Sequence, residues 1–467
     1  MPNTITSTRN TPQSDQLPVI IIGAGPVGLA AAAHVLERGL TPVVLEAGAS
    51  VGAAIAQWGH TRLFSPWEYN IDDAARRLLD TTGWDAPDPD VLPTGHELLD
   101  DYLTPLAEAL GDRIRTGARV VAVSRDGMDK TRSAHRADTP LLVRITTAGG
   151  AEEDLTAQAV LDASGTWNQT NPLGRSGLPA PGETAATAHG LITAPLPDVH
   201  GTDRHRFADR HVVVVGAGHS AANTLLDLAD LAQHAPGTRI SWAVRGADVS
   251  AVYGGEAQDE LAARGALGTR LRHLVSTGAI EVHTEFVITG FAAGHNGLTV
   301  QATTPAGPTE LNVDVLVPAT GFRPDLDILS ELRLELDPAV EAPRQLGPLI
   351  DPEFHSCGSV QPHGERMLAH PEPGFYIVGM KSYGRAPTFL MATGYEQVRS
   401  IAAALAGDQQ AADDVHLVLP ETGVCTTDLG GTCDTPAPAT PATTDQGCCT
   451  PANAAPVLLP TPVATCC

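Results

Sequence analysis

The chain has 467 residues, 42% of them hydrophobic, and a formal net charge of −25 at pH 7. That length exceeds one ordinary hydrophobic core and implies two or three domains, while the acidity excludes nucleic acid, whose phosphates it would repel, as a partner. No basic leader followed by an apolar run, and no stretch of about 18 apolar residues, is present, so a cytoplasmic protein without secretory signal or membrane span is expected.

Residues 1–17 are polar and expected to be disordered. The first strong signal follows, in LPVIIIGAGPVGLAAAAHVLERGLTPVVLEAG. Val19 to Ile22 reads as a buried parallel strand. Gly23, Gly25 and Gly28 then stand in G-x-G-x-x-G spacing, and Pro26 suits the first position of an Ala/Leu-rich helix that stops near Gly39. A second strand, Pro42 to Leu45, ends at Glu46. The first glycine permits a tight turn, the second lets backbone approach a pyrophosphate at the helix N-terminus, and the third lets helix and strand pack closely. Glu46 is placed to accept a ribose hydroxyl. Strand, turn, helix, strand and acid in that order point to a dinucleotide.

Downstream, AVLDASGTW (159–167) is an apolar strand followed by a small residue and Gly165. The Pro/Gly-rich stretch 172–201 comes next. The dinucleotide pattern then returns in HVVVVGAGHSAANTLLDLADLAQHAPGTRISWAVRG. Val212 to Val215 is the strand, Gly216 and Gly218 form the turn, and Ala221 takes the place of the third glycine. The next strand, about Arg239 to Val244, ends in Arg245 where the first copy has Glu46. An arginine there can pair with a 2′-phosphate, which favours NADPH over NADH; the alternative is a surface arginine at a strand end. Two such units in one chain imply two cofactors, FAD and NADPH.

DVLVPATGFRPD (314–325) resembles 159–167, with Thr320 and Gly321 at the turn. We read the pair as the places where the chain leaves and re-enters the first domain. Phe375 to Val378 is a further strand with Gly379 at its end. A closing helix is expected from about Pro387 to Leu405, stopping at Gly407. Its N-terminus is suited to the negative charge of a reduced flavin.

This constellation, over about residues 18–410, resembles the flavoproteins with two dinucleotide-binding domains, which include flavin-containing monooxygenases and thioredoxin reductases. The resemblance implies an α/β fold with two Rossmann-like domains, the NADPH domain inserted into the FAD domain, and a disordered C-terminal tail. The expected parts are 1–17 disordered, 18–170 FAD-binding, 171–205 linker, 206–318 NADPH-binding, 319–415 FAD-binding again, and 416–467 a flexible cysteine-containing tail. It also places Val120 and Ser220 among the cofactor-binding residues. Trp58 is expected over the flavin ring, with His60, Trp67, Tyr69 and Asn70 nearby, either lining the pocket or in the core. Tyr383 and Arg385 are expected, from position alone, to stabilise the oxygenating flavin. Reductases of this superfamily carry a redox cysteine pair, and no cysteine occurs before Cys357. That points to the monooxygenase-type branch, with O2 and a soft nucleophile as substrates. One departure stands against it: no F-x-G-x-x-x-H precedes the second glycine turn, where the chain reads HGLITAPLPDVHG. The stretches FSPWEYNID, MKSYGRAPTFLMATGYEQVRS and LPETGVC resemble the monooxygenase-like flavoproteins found with arsenic-resistance genes, which implies an arsenical substrate or a thiol partner of arsenic handling. A homodimer is left open.

The chain ends in GCCTPANAAPVLLPTPVATCC. Adjacent thiols at Cys448, Cys449, Cys466 and Cys467 suit thiophilic ions such as As(III) or Hg(II). Three readings stay open: ion capture, a relay of electrons from flavin to an external disulfide, or an extension whose cysteines do nothing. Beside the monooxygenase, two other functions are weighed: an NADPH-dependent reductase of a thiol, disulfide or metal thiolate that uses the tail, and a flavin-bearing metalloid-binding protein whose tail sequesters arsenite.

Overall fold

A computed structural model of the chain describes residues 17–254, 262–294, 297–353, 360, 362–386 and 389–417. All seven cysteines, including the tail pairs, lie outside the described residues.

The chain builds one plan twice. In the first copy β1 (Val19–Ile22) leads to α1 (Pro26–Glu37), β2 (Pro42–Leu45) and the short α2 (Ala53–Ala56). A short β3 (Ile114–Arg115) is followed by an antiparallel trio, β4 (Ala118–Arg125), β5 (Leu141–Thr147) and β6 (Glu152–Ala157), and then β7 (Ala159–Asp162). The second copy runs β8 (His211–Val215), α3 (His219–His234), β9 (Arg239–Ala243), α4 (Ala262–Ser276) and β10 (Glu281–His283). It continues with the trio β11 (Val287–Gly294), β12 (Gly297–Thr304) and β13 (Gly307–Val313), and ends with β14 (Val315–Pro318). The first parallel sheet is ordered β7-β1-β2-β3 and the second β14-β8-β9-β10, the same order in each. Both trios carry a register shift in their first strand, at Val120/Ala122 and at Ile288/Gly290.

Only the outer edges differ. β15 (Phe375–Ile377) returns after the whole second copy and pairs in parallel with β7. On the second sheet, Ile192 bridges Leu316 in parallel, with Leu191 O accepting from Leu316 N–H at 2.9 Å and Thr193 N–H donating to Leu316 O at 2.9 Å. Part of the stretch expected as linker thus borders a sheet.

The runs VIII and VVVV are apolar without alternation because both faces of each sheet are covered. Val19 and Ile21 face α1, and Ile20 and Ile22 face the first trio through Val143 and Ile145. Val212 and Val214 pack with Leu225 and Leu228 of α3, and Val213 and Val215 with Leu298 and Val300 of the second trio. Glu372, fully buried just before β15, is held by Arg125 at 2.6 Å and Arg136 at 2.7 Å. These charge-assisted bonds tie the first trio to the returning segment.

The closing helix α5 (Met391–Leu405) starts later than Pro387, which is outside the described residues. Phe389 packs edge-on to Tyr383 at 5.0 Å, and Leu390 is extended, so the helix opens only at Met391. No described helix is long and apolar enough to cross a membrane.

A Cβ on Gly28 would lie 2.0 Å from Gly23 O, so Gly28→Ala should cost about 1–3 kcal/mol in urea unfolding. Burial pushes the His370 imidazole down to about 4, and its Nδ1 faces the Glu335 backbone N–H. Its Nδ1 accepts that N–H, and Nε2 is buried with no partner among the described residues. The unfolded chain therefore takes up this proton first as pH falls. Stability should drop between about pH 6.5 and 4, by about 2 kcal/mol at pH 5. His370→Phe, measured by denaturation at pH 7 and pH 5, should remove that part of the acid sensitivity.

Candidate functional site

At the first glycine turn, Gly23 has φ +99° and its N–H donates to Leu45 O at 2.8 Å. Gly28 has no room for a side chain, so α1 lies directly against the turn. A Cβ on Gly25, by contrast, would meet nothing within 4 Å. Gly25 is the N-cap, without side-chain capping, and Pro26 follows at the first helical position. The result is an open face of uncapped helix amides, the shape and polarity that suit a pyrophosphate. Glu46 stands beside it, accepting from Ala24 N–H at 2.8 Å and Gly48 N–H at 2.7 Å. Each carboxylate oxygen keeps further acceptor capacity for a ribose hydroxyl. Ala118 N–H donates to Glu46 O at 2.8 Å, which brings the start of β4 alongside, and Val120 is buried against the same sheet.

Gly379 closes the other side. Its N–H donates to Gln397 Oε1 of α5 at 2.8 Å. Cβ atoms placed on Gly379 and on Gly394 of α5 would come 3.3 Å and 2.5 Å from Val27 in the first turn of α1. The starts of α1 and α5 and the turn after β15 therefore converge. Gly165 has φ +69° in the turn after β7. That turn is fixed by a buried ion pair: Lys381 Nζ lies 2.7 Å from Asp162 Oδ2 and 3.1 Å from Ser164 Oγ.

The second turn repeats the geometry. Gly216 has φ +136°, a Cβ there would lie 2.0 Å from Ala319 O, and a Cβ on Gly218 would be in open space. Gly218 caps α3 without a side-chain bond, Ala221 is fully buried in the third-glycine place, and Ser220 lies in the first turn of the helix. Trp242 Nε1 donates to Gly216 O at 2.8 Å, a support of the turn that spacing did not reveal. Arg245 follows β9, exposed and without an ion-pair partner among the described residues. Both turns fit a dinucleotide.

The two crossings lie side by side. Thr170 and Phe322 bridge antiparallel, Asn171 N–H donates to Gly321 O at 2.9 Å, Arg323 N–H to Gln169 O at 2.9 Å, and Thr320 Oγ1 to Asn171 O at 2.7 Å. Their aromatic residues meet Trp58: ring centroids are 6.5 Å apart for Trp58 and Trp167 and 5.0 Å apart for Trp167 and Phe322. Trp167 Nε1 donates to Gln57 Oε1 at 3.0 Å. Phe64 stacks near His219, the first residue of α3, at 5.1 Å. Trp167 and Phe322 escaped the sequence reading. Their signal was an aromatic one or two residues beyond each small-residue–glycine turn.

Trp67 is in the core, and Asn70 Nδ2 donates to Ser65 O at 2.8 Å in a buried turn. Tyr69 is half-buried. Burial pushes the His60 imidazole down, against Asp198, which raises it. Tyr383 is buried between His363 and Phe389. Arg385 forms a surface ion pair with Glu341 at 2.8 Å. No group of His, Cys, Asp or Glu among the described residues is arranged to hold a metal.

A model of the pyridine nucleotide-disulphide oxidoreductase family matches residues 17–342. No curated protein sequence matches the chain. Among solved structures, the chain is similar to bacillithiol disulfide reductase from Bacillus cereus, at 21% identity and a TM-score of 0.62, over 84% of this chain and 99% of that one. It is similar to ornithine N-hydroxylase from Kutzneria sp. 744, at 16% identity and a TM-score of 0.56, over 85% and 100%. It is also similar to a flavin monooxygenase from Stenotrophomonas maltophilia, at 20% and 0.52, over 84% and 99%. At these identities the likeness is one of fold.

Because its Cβ enters open space, Gly25→Val should leave urea stability within about 0.5 kcal/mol of the parent. It should nevertheless weaken FAD binding to the apoprotein by about tenfold or more, as followed by flavin fluorescence.

Proposed function

The chain belongs to the pyridine nucleotide-disulphide oxidoreductase family, whose members use FAD and NAD(P)H, and from that membership we propose that it is an NADPH-dependent flavin monooxygenase acting on a soft nucleophile, an arsenical, sulfur or nitrogen centre. The observation that carries this reading is the absence of cysteine from residues 1–356. Both glycine turns and the first crossing lie within that span, so no thiol pair from these segments stands beside a flavin to relay electrons.

When bound, FAD supplies hydride acceptance and the activation of O2. The protein's part is placement and dryness. The turn at Gly23–Gly28 and the carboxylate of Glu46 hold the pyrophosphate and ribose of FAD. The turn at Gly216–Ala221 holds NADPH, with Ser220 in the first helical turn and Arg245 paired to the 2′-phosphate. The paired crossings, with Gly165, Thr320 and Gly321, bring the two nucleotide sites to one junction. Trp58, Trp167 and Phe322 exclude water there.

A second reading is favoured by the four tail cysteines and by the fold likeness to a bacillithiol disulfide reductase. In it, the tail carries electrons to a disulfide or metalloid thiolate. Replacing Cys448, Cys449, Cys466 and Cys467 together by Ser separates the two. The monooxygenase reading expects NADPH-dependent O2 uptake with a trivalent arsenical or a sulfide to continue at the parent rate. Loss of turnover with flavin reduction intact would replace it by the reductase. Arg245→Gln should raise KM for NADPH by about tenfold while leaving KM for NADH within about twofold, as expected for one lost charge-assisted phosphate contact.

A further inference from the structure

The buried pair of Lys381 and Asp162 stands at the end of the first sheet that carries the glycine turn. Asp162 is the last residue of β7, in register with Ile22 on one side and Ile377 on the other. Ile22 directly precedes Gly23. Ala163 N–H donates to Ile22 O at 3.0 Å, and a Cβ on Gly23 would lie 2.8 Å from Ala163 O and 3.1 Å from Ser164 Cα. The Asp162 carboxylate fixes this crossing turn. Its Oδ1 accepts from Ser164 Oγ at 2.6 Å and from Ser164 N–H at 3.1 Å. Its Oδ2 accepts from Lys381 Nζ, which arrives from the turn after β15, at 2.7 Å. The two side chains are 1% and 0% exposed through protein contacts alone, so their burial does not depend on a bound nucleotide.

Such a fastening need not be ionic. A buried ion pair adds little net stability over apolar side chains of similar size. At the opposite end of β15, Glu372 with Arg125 and Arg136 already ties the strand down. Charge differs from packing in acting at a distance on whatever binds at the Gly23 turn. Resting on the FAD assignment above, we infer that Lys381 is the counter-charge that lets Asp162 hold the crossing turn without opposing flavin reduction. Reduced flavin carries negative charge that the oxidised form lacks, and a bare carboxylate beside its site disfavours that form. An ammonium bonded to the carboxylate cancels this penalty. Lys381 is a positioning residue: it acts through Asp162 and touches neither substrate nor the transferred hydride.

The test titrates FAD in the full-length protein against a redox dye of known potential and reads the ratio of oxidised to reduced flavin, each variant against the parent at the same pH. Lys381→Met strands the carboxylate. At about pH 9, where a lone carboxylate keeps its charge, the ratio should move about tenfold toward oxidised flavin. Asp162→Asn strands the ammonium. At about pH 6, where a lone ammonium keeps its charge, the ratio should move about tenfold toward reduced flavin. The double variant should lie within about threefold of the parent at both pH values. Lys381→Gln is read in the same way if Lys381→Met does not fold. Simple damage to the site would move both single variants in one direction, toward the value of free FAD. Shifts of the same sign in the two, or no shift in either, overturn the inference. Failure of the underlying assignment looks different: the purified parent would hold no FAD to titrate.

Discussion

A backbone-to-backbone contact at the carboxyl end of a buried strand governs this molecule. In the first lobe the chain of α1 passes so close to Gly23 O that position 28 tolerates no side chain, and in the second Gly216 presses against Ala319 O with equal intimacy. Each contact draws helix amides up to the mouth of a parallel sheet whose strands are sealed on both faces. The open space beside Gly25 and Gly218 is the complement of that crowding. Tight packing behind the turn creates the accessible, polar face in front of it, where anionic groups are favoured.

The doubled plan explains how two such faces come to one junction. Both lobes share strand order, both insert an antiparallel trio before the last inner strand, and both shift register early in that trio. The connections between them are a pair of short segments hydrogen-bonded to each other, so the two sheets are joined at the ends that carry the glycine turns. The buried bonds of Glu372 with Arg125 and Arg136, and of Lys381 with Asp162, secure the returning segment to the first lobe. Buried charges are costly unless fully paired, and here each is paired across more than two hundred residues of sequence.

Much of this was legible in the sequence because the signals are local. Val19–Ile22, the helix from Pro26, Pro42–Leu45 and the second strand–turn–helix all announce themselves through β-branched runs, glycine spacing and a following charge. The two crossings were legible through their likeness to each other. Less legible were features made by distant pairing. α5 opens at Met391 after an extended Leu390, where Phe389 packs edge-on to Tyr383 from an earlier segment. The bridge at Ile192 lies in a stretch dominated by proline and glycine. Trp167 and Phe322 become neighbours only because two segments about 150 residues apart run side by side, as the bond of Thr320 with Asn171 records. Tyr383 and Arg385, chosen by position alone, are found in a core cluster and a surface ion pair.

The outer strand of the first sheet, Phe375–Ile377, is supplied only after the entire second lobe. On a ribosome that sheet must therefore stand with β7 as an open edge while everything from residue 163 to residue 374 is translated. The second lobe suffers no such delay, because its outer segment at residues 191–193 precedes it. The lobe whose first strand emerges earliest is thus the last to close, and during elongation its bare edge is the place where a nascent chain of this protein is most exposed to mispairing.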